Sequence, residues 1–314
     1  MASTNQASKD RSGFIWQLLE NRKASVGAAL ILFFVLLGLL GPVLLRRDPS
    51  DFVGPPHQPP SSEYLLGTTG QGQDVFAQVV AGARTSLLVG FLTGFAVMAI
   101  GALVGMAAGF FGGWIDSVLS FITNVFLIMP GLPLAVVIAA YLKPGPVTIG
   151  LVLVITGWAW NARMLRSQIL SLREKDFVLA AIVSGEGRFR IIFREILPNM
   201  TSLLMSGFIS ATVYAIGAQV GLEFLGIGDL SVVTWGTNLY WAANDAALLT
   251  GAWWTVVPTG LCVALIGFAL VLVNFAIDEI TNPRLRSERT WAKLRKRHDL
   301  EEGLSTPVVR PSGN

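Results

Sequence analysis

The sequence predicts an all-α integral membrane protein with six transmembrane helices. The chain has 314 residues, of which 53% are hydrophobic and only 14% are charged, and its mean hydropathy is +0.60. A soluble domain carries about 25% charged residues. The apolar residues also fall into long blocks, and about 20 such residues are needed for a helix to cross the hydrocarbon core. Composition and block length together exclude an ordinary soluble domain.

Apolar blocks and the polar stretches between them divide the chain. A polar N-terminal segment, 1–23, precedes a first transmembrane helix at 24–45, which is longer than the apolar region of a cleaved signal peptide. The proline-rich residues 46–84 are predicted to form an external loop, because proline opposes helices and central strands. We expect a core of five helices at 85–280 and a basic tail at 281–314. The predicted core spans are 85–111, 118–142, 147–162, 201–223 and 253–277.

The distribution of positive charge predicts the orientation. Of the 23 Lys and Arg residues, 19 lie in the N-terminal segment, in the 163–200 loop or in the C-terminal tail. The other four are Arg46, Arg47, Arg84 and Lys143. Because positively charged loops stay on the cytoplasmic side, both termini and the 163–200 loop are expected to be cytoplasmic.

The 163–200 loop contains an amphipathic stretch at 176–199. We predict a short helix with Asp176 as its N-cap and Gly185 at its end, because glycine adopts the left-handed conformation that terminates helices. A second amphipathic run, 188–197, then leads into the fifth span beside Pro198. One face of the short helix has small residues at its centre, so a partner surface can approach closely. This face consists of Phe177, Ala180, Ala181 and Ser184.

The order of Ala-Ala, Gly and Leu-Pro in this stretch resembles the EAA loop of ABC importer permeases, the element that docks into a separate ATPase subunit. A basic loop lying on anionic lipid is the alternative interpretation. Further stretches resemble the second permease of peptide-type ABC importers, the dipeptide and oligopeptide family. The chain departs from that pattern at Leu179, which replaces the EAA glutamate, and at Thr69, Gln73 and Glu195. The matching stretches are 65–68, 72–75, 82–87, 111–116 and 282–286.

The resemblance implies a type I ABC importer permease fold in a bacterial cytoplasmic membrane. It implies three kinds of partner: a homologous second permease, one or two cytoplasmic ABC ATPases, and an external solute-binding protein. ATP and Mg²⁺ would bind to the ATPases, and no cofactor is expected in this chain. The implied cargo is a di- or oligopeptide, with a cello-oligosaccharide, glutathione or nickel as alternatives. The residues implied to contact the ATPase are Phe177, Ala180, Ala181, Ser184, Gly185, Arg188 and Arg190.

Two other classes of protein are considered. A secondary transporter usually carries ionisable groups within its spans, whereas the interior polar groups here are Asn124, Gln219 and Asn274. These three side chains either line a pathway or hydrogen-bond between helices. A membrane-embedded enzyme needs a nucleophile with a base or a metal site, and no catalytic or metal site is predicted, because His57 and His298 lie in polar segments. The loop aromatics Trp235, Tyr240 and Trp241 are expected at the membrane interface.

Overall fold

The structure is a computed structural model that describes residues 21–45 and 48–281. Regular secondary structure in these residues is helical, apart from one isolated bridge between Thr68 and Asp74. Most of the predicted N-terminal segment, nearly all of the basic tail and the 282–286 motif lie outside the described residues. The helices are α1 (Arg22–Leu45), α2 (Val75–Phe111), α3 (Gly113–Ile128), α4 (Gly131–Ala140), α5 (Pro146–Arg173), α6 (Asp176–Val183), α7 (Thr201–Phe224), α8 (Trp235–Asn244) and α9 (Val257–Thr281).

Six spans are present if one broken pair counts as a single span. Helices α1, α2, α5, α7 and α9 are each long and apolar enough to cross a membrane. Helices α3 and α4 pass the same test only together, and they meet at an angle of 88°. The break has a local cause: Met129, which precedes Pro130, is extended with ψ 133°, as expected because proline disfavours helical backbone in the residue before it.

Two predicted boundaries differ most from the structure. Helix α2 begins at Val75 rather than at 85, because Asp74 caps it: Oδ1 accepts hydrogen bonds from the N–H groups of Phe76 at 2.9 Å and Ala77 at 3.4 Å. Such a cap contributes about 1 kcal/mol. Helix α5 continues to Arg173, so the first part of the predicted 163–200 loop is helical.

Glycines set the distances between the central helices. A Cβ on Gly101 or Gly105 of α2 would lie 2.6 Å from an atom of α5, and one on Gly90 or Gly94 would lie 2.3 Å from an atom of α7. Backbones can therefore approach closely, which favours helix association in lipid, where burial of apolar surface gives little drive. The face of α2 that carries Gly101 and Gly105 thus contacts α5.

One end of the bundle carries a structured cap, which comprises residues 48–74 and 225–256. Trp254 Nε1 donates to the carbonyl of Thr68 at 3.2 Å, so the two parts of the cap are joined. Trp235 is fully buried; its Nε1 donates to the carbonyl of Val79 at 3.0 Å and its backbone N–H to Ser86 Oγ at 3.0 Å. The expectation that Trp235 lies at the membrane interface is therefore wrong.

A buried carboxyl group holds the second part of the cap to α7. Glu223 is 1% exposed; its Oε2 accepts a hydrogen bond from Thr234 Oγ1 at 2.5 Å. Its Oε1 accepts one from Gln219 Nε2 at 3.1 Å. Thr234 is also the N-cap of α8, in a capping box with Thr237. The network therefore fixes where α8 starts relative to the end of α7.

Candidate coupling segment

The candidate coupling segment comprises residues 176–199 and lies at the end of the bundle opposite the cap. Its first helix, α6, begins at Asp176, and the preceding Lys175 occupies the N-cap position with no side-chain cap. The predicted N-cap is thus wrong by one residue. Asp176 instead lies in the first turn, where a carboxylate interacts favourably with the helix dipole.

The inner face of α6 attaches the helix to the bundle through apolar contacts. Val178 is 0% exposed, and Ala181, one turn later, packs against the same cluster. The cluster includes Leu165 and Ile169 of α5 and Met98 of α2. Ala181, predicted to contact a partner, is therefore half-buried and faces partly inward.

The outer face of α6 is apolar but exposed. Val183 is 88% exposed, Leu179 and Ile182 are each 48% exposed, and Phe177 is 38% exposed. Ala180 and Ser184, also predicted contact residues, are exposed between them. An apolar patch of this kind is typical of a site that binds a protein or a membrane.

Gly185 ends α6 as the sequence predicts. Its φ is +78°, in the left-handed region that favours glycine. The N–H of Gly185 donates to the carbonyl of Ile182 at 3.0 Å, and that of Glu186 donates to the carbonyl of Ala181 at 3.1 Å. These two bonds form a Schellman motif, which sets a sharp turn after the patch.

Arginines follow the turn. Arg188 and Arg190 are exposed, as expected of residues at the rim of a contact, and Arg190 Nε lies 3.4 Å from Glu186 Oε2. Phe189 between them packs edge to face on Phe111, the last residue of α2, with ring centroids 6.4 Å apart. The turn is therefore anchored to α2 by a ring contact.

The return to the membrane passes through a π-helix, Ile191–Ile196, which lies between short α-helical pieces. Ile191 and Ile196 are 2% and 1% exposed and belong to the cluster that also holds Val178. Residues five apart would lie on different faces of an α-helix, whereas hydrogen bonds from i to i+5 bring them to one face. This π-helix was not predicted, although the five-residue spacing of the two isoleucines is its signal.

The three neutral polar residues proposed as pathway-lining occupy different environments. Asn124 lines a cavity of about 240 Å³ near the basic end, beside the pair in which Arg166 donates to both carboxylate oxygens of Asp116. Gln219 is fully buried and hydrogen-bonded to Glu223. Asn274 joins α9 to α7: its Oδ1 accepts a hydrogen bond from Ser206 at 2.7 Å and its Nδ2 donates to Ser210 at 3.4 Å.

Comparison with known proteins identifies the class. The described helices form a bundle with the short helix α6 between α5 and α7. Residues 101–287 match the family described as binding-protein-dependent transport system inner membrane component. Since the match covers more than half of the chain, the chain belongs to this family and is a multi-pass membrane protein.

Similar proteins share this description. The chain is 31% identical to the dipeptide transport system permease protein DppC of Bacillus subtilis (strain 168), over 86% of this chain and 84% of the relative. It is 33% identical to the oligopeptide transport system permease protein OppC of Mycobacterium tuberculosis (strain CDC 1551 / Oshkosh), over 89% and 96%.

A solved structure shows the fold. A chain of the MetNI methionine ABC transporter, in an inward facing conformation, matches with a TM-score of 0.51 and 20% identity. The match covers 65% of this chain and 94% of that chain. The expected type I ABC importer permease fold is confirmed.

Proposed function

We propose that this chain is one of two permeases of an ATP-driven importer that translocates di- or oligopeptides. The peptide cargo is supported by the names of the dipeptide and oligopeptide permeases to which the chain is similar. Cello-oligosaccharide, glutathione and nickel remain alternative cargoes within the same class. Membership of the transport family favours this importer over a secondary transporter and over a membrane-embedded enzyme.

The proposed partners are a homologous second permease, an external solute-binding protein, and one or two cytoplasmic ATPases that bind ATP and Mg²⁺. No cofactor and no catalytic residue are assigned to this chain. The observation that supports the ATPase contact most directly is the exposed apolar face of α6 on a helix that is anchored from behind by Val178. A push on the outer face would be transmitted through Val178 to α5 and α2.

The outer face would contact the ATPase through Phe177, Ala180 and Ser184, with Gly185 setting the turn and Arg188 and Arg190 at the rim. Ala181 would act from the inner face. Asn124, Gln219 and Asn274 are proposed as polar residues of the pathway. Of these, Asn274 is hydrogen-bonded to Ser210 of α7, so its proposed role is to position α7.

The test is affinity purification of the complex from detergent with Ala180→Glu. A carboxylate in the apolar contact would be desolvated without a partner, so we expect the ATPase to be lost while the second permease is retained. The matched control is Ala243→Glu, since Ala243 is an exposed alanine of α8 in the cap. Equal recovery of the ATPase with both variants would refute the assignment of α6 as the ATPase contact.

The proposed orientation has its own test. Cys262 is the only cysteine, so a Cys262→Ala chain provides a background for single-cysteine labelling. A cysteine at exposed Ser184 should react with a membrane-impermeant maleimide only in inside-out vesicles. A cysteine at exposed Ser62, in the proline-rich loop, should react only in right-side-out vesicles. The reverse pattern would overturn the cytoplasmic placement of the coupling segment.

A further inference from the structure

A cavity of about 340 Å³ lies between α2, α5, α7 and the break between α3 and α4. Its volume is within the range of about 300–1,000 Å³ that is typical of small-molecule sites. It lies near the middle of the spans, because its walls include Asn161 of the 28-residue α5 and Tyr214 of the 24-residue α7. None of the lining residues is Asp, Glu, Lys, Arg or His.

Asn161 is a polar group in this wall that is left without a partner. The residue is only 6% exposed, and its amide forms no hydrogen bond with any other described residue. Gly101 of α2 and Gly207 of α7 pack closely around it, so the side chain is fixed in place. The cavity therefore offers a donor and an acceptor to a ligand.

The N-terminus of α4 supplies further donors. Gly131, its first residue, lines the cavity, and the N-cap Pro130 provides no side-chain cap. The N–H groups of Gly131 and Leu132 have no acceptor within the helix, and the N-terminus carries a partial positive charge. A Cβ on Gly131 would lie 3.6 Å from the Tyr214 hydroxyl oxygen, so this hydroxyl group is beside the helix end.

The remaining wall is aromatic and apolar. Phe126 and Trp160 line the cavity, and the Trp160 side chain is 67% exposed. The wall therefore combines hydrogen-bonding groups with rings that provide a non-specific apolar surface. This combination fits a negatively charged or strongly accepting oxygen group attached to an apolar body. Broken helices near the bilayer midplane, with an N-terminus directed at an anionic group, are a known way to bind such substrates.

We propose that this cavity binds the C-terminal carboxylate of a short peptide during translocation. The N–H groups at the start of α4, the Tyr214 hydroxyl and the Asn161 amide donate hydrogen bonds to the carboxylate, and the rings of Phe126 and Trp160 contact the last side chain. This inference rests on the proposed function as a peptide permease. The absence of a fixed cation in the wall keeps the binding weak, which allows the peptide to leave the site.

The test measures equilibrium binding of a radiolabelled dipeptide, alanyl-phenylalanine, to the purified transporter complex in lipid nanodiscs without binding protein. The second ligand is the same dipeptide with a C-terminal amide. We expect the free acid to bind about tenfold or more tightly than the amide, because hydrogen bonds to charged groups are the stronger ones. Tyr214→Phe should weaken binding of the free acid by about tenfold and leave the amide nearly unchanged.

Two further variants sharpen the test. Asn161→Leu removes the unpartnered amide and should weaken binding of the free acid by about tenfold. Tyr141→Phe is the matched control, since Tyr141 follows the last residue of α4, at the opposite end from the cavity, and is 87% exposed. It should leave binding of both ligands unchanged. If the Asn161→Leu complex fails to assemble, the Tyr214→Phe variant still decides whether the carboxylate site is correct.

The outcomes separate this site from the proposed function. ATP-driven uptake of the dipeptide by the wild-type complex, with binding protein present, tests the function itself. If uptake occurs but the acid and the amide bind equally, or Tyr214→Phe behaves like Tyr141→Phe, the carboxylate site is wrong and the function stands. If the wild-type complex binds no peptide at all, for example because the second permease fills the cavity, the site is also wrong. Failure of uptake for every peptide would refute both.

Discussion

The cap and the coupling segment are attached to the helices in different ways. In the cap, Trp235 and Asn238 donate side-chain hydrogen bonds to the carbonyl groups of Val79 and Gln78 in α2. In the coupling segment, the described hydrogen bonds and ion pairs made by its own side chains stay within the segment, as between Arg190 and Glu186. Its attachment to α2 and α5 consists of apolar contacts, namely the cluster that holds Val178 and the ring contact between Phe189 and Phe111.

This difference indicates that the cap is held rigidly and the coupling segment is held more loosely. Directional hydrogen bonds specify one arrangement, so the cap holds the ends of α2, α7 and α9 in fixed positions. Apolar contacts are non-directional, so α6 can pivot or slide on the cluster at a smaller cost. The second kind of attachment fits the proposed role of the coupling segment in receiving motion from an ATPase, and the first kind fits an end of the bundle that keeps its shape.

The largest effect is expected in the cap. Trp235→Ala removes a fully buried ring that packs against Phe34 and a hydrogen bond to Val79. We expect the free energy of unfolding to fall by about 3–5 kcal/mol, measured by thermal unfolding in detergent. Trp253→Ala is the control, because Trp253 is 54% exposed. Similar losses for both variants would show that the cap is not the rigid end.

The next largest effect is expected at the anchor of α6. Val178→Asp places an unpaired carboxylate in the apolar cluster, which should cost more than about 3 kcal/mol locally. We expect ATP hydrolysis to become uncoupled from transport while the cap remains intact, measured as peptide uptake per ATP hydrolysed. Val183→Asp, on the exposed side of the same helix, should leave the anchor in place. Cooperative unfolding of the whole chain by Val178→Asp would contradict the idea of a loosely attached segment.

A smaller effect is expected at the turn. Gly185→Ala forces a residue with a Cβ into φ +78° and should cost about 1–2 kcal/mol. Gly187 is the N-cap of the short helix Arg188–Arg190, with φ −67° and open space around it. Gly187→Ala is therefore a matched control with little expected cost. Hydrogen exchange of the α6 amides should become faster only in Gly185→Ala. Equal exchange in the two variants would mean that the Schellman motif does not hold the helix end.

The smallest effect is expected from pH. Burial raises the pKa of Asp245, at the end of α8 in the cap, although His57 opposes the shift. Since the folded state then binds more protons, the stability of the cap should fall slightly as pH rises above the ordinary Asp pKa of about 3.9. The unfolding midpoint of Asp245→Asn should lack this decline above the ordinary Asp pKa.

Asp229 provides a control of opposite sign. Hydrogen bonds from Ser231 lower the pKa of Asp229 below its ordinary value. The contribution of Asp229 to the stability of the cap is therefore present above the ordinary Asp pKa and is lost as pH falls through the lowered pKa. Asp229→Asn should leave the decline above the ordinary Asp pKa in place. If both variants change the same pH window in the same direction, the assignment to Asp245 is wrong.

The apolar blocks predicted most of the fold, because about 20 apolar residues have few structural options in lipid. The left-handed Gly185 was also predictable, since the conformation belongs to one residue type. The burial of Val178 and Trp235 was not, because each depends on partners far away in the chain, such as Met98 and Val79. Likewise, the sequence alone does not distinguish Asn161 from other polar residues, because its surroundings form only when α2, α5 and α7 pack together.

The glycines of α2 have a consequence for sequence variation. Atoms of α5 and α7 lie within 2.3–2.6 Å of where a Cβ would stand on Gly90, Gly94, Gly101 and Gly105, so the spacing of three helices depends on the lack of side chains at these positions. Neighbouring side chains such as Leu92 and Leu103, which are more than 60% exposed, are not subject to this constraint. A saturation mutagenesis library should therefore show one helical stripe that is nearly invariant beside another that tolerates almost any apolar residue. A single face of α2 therefore determines the distances from α2 to α5 and to α7.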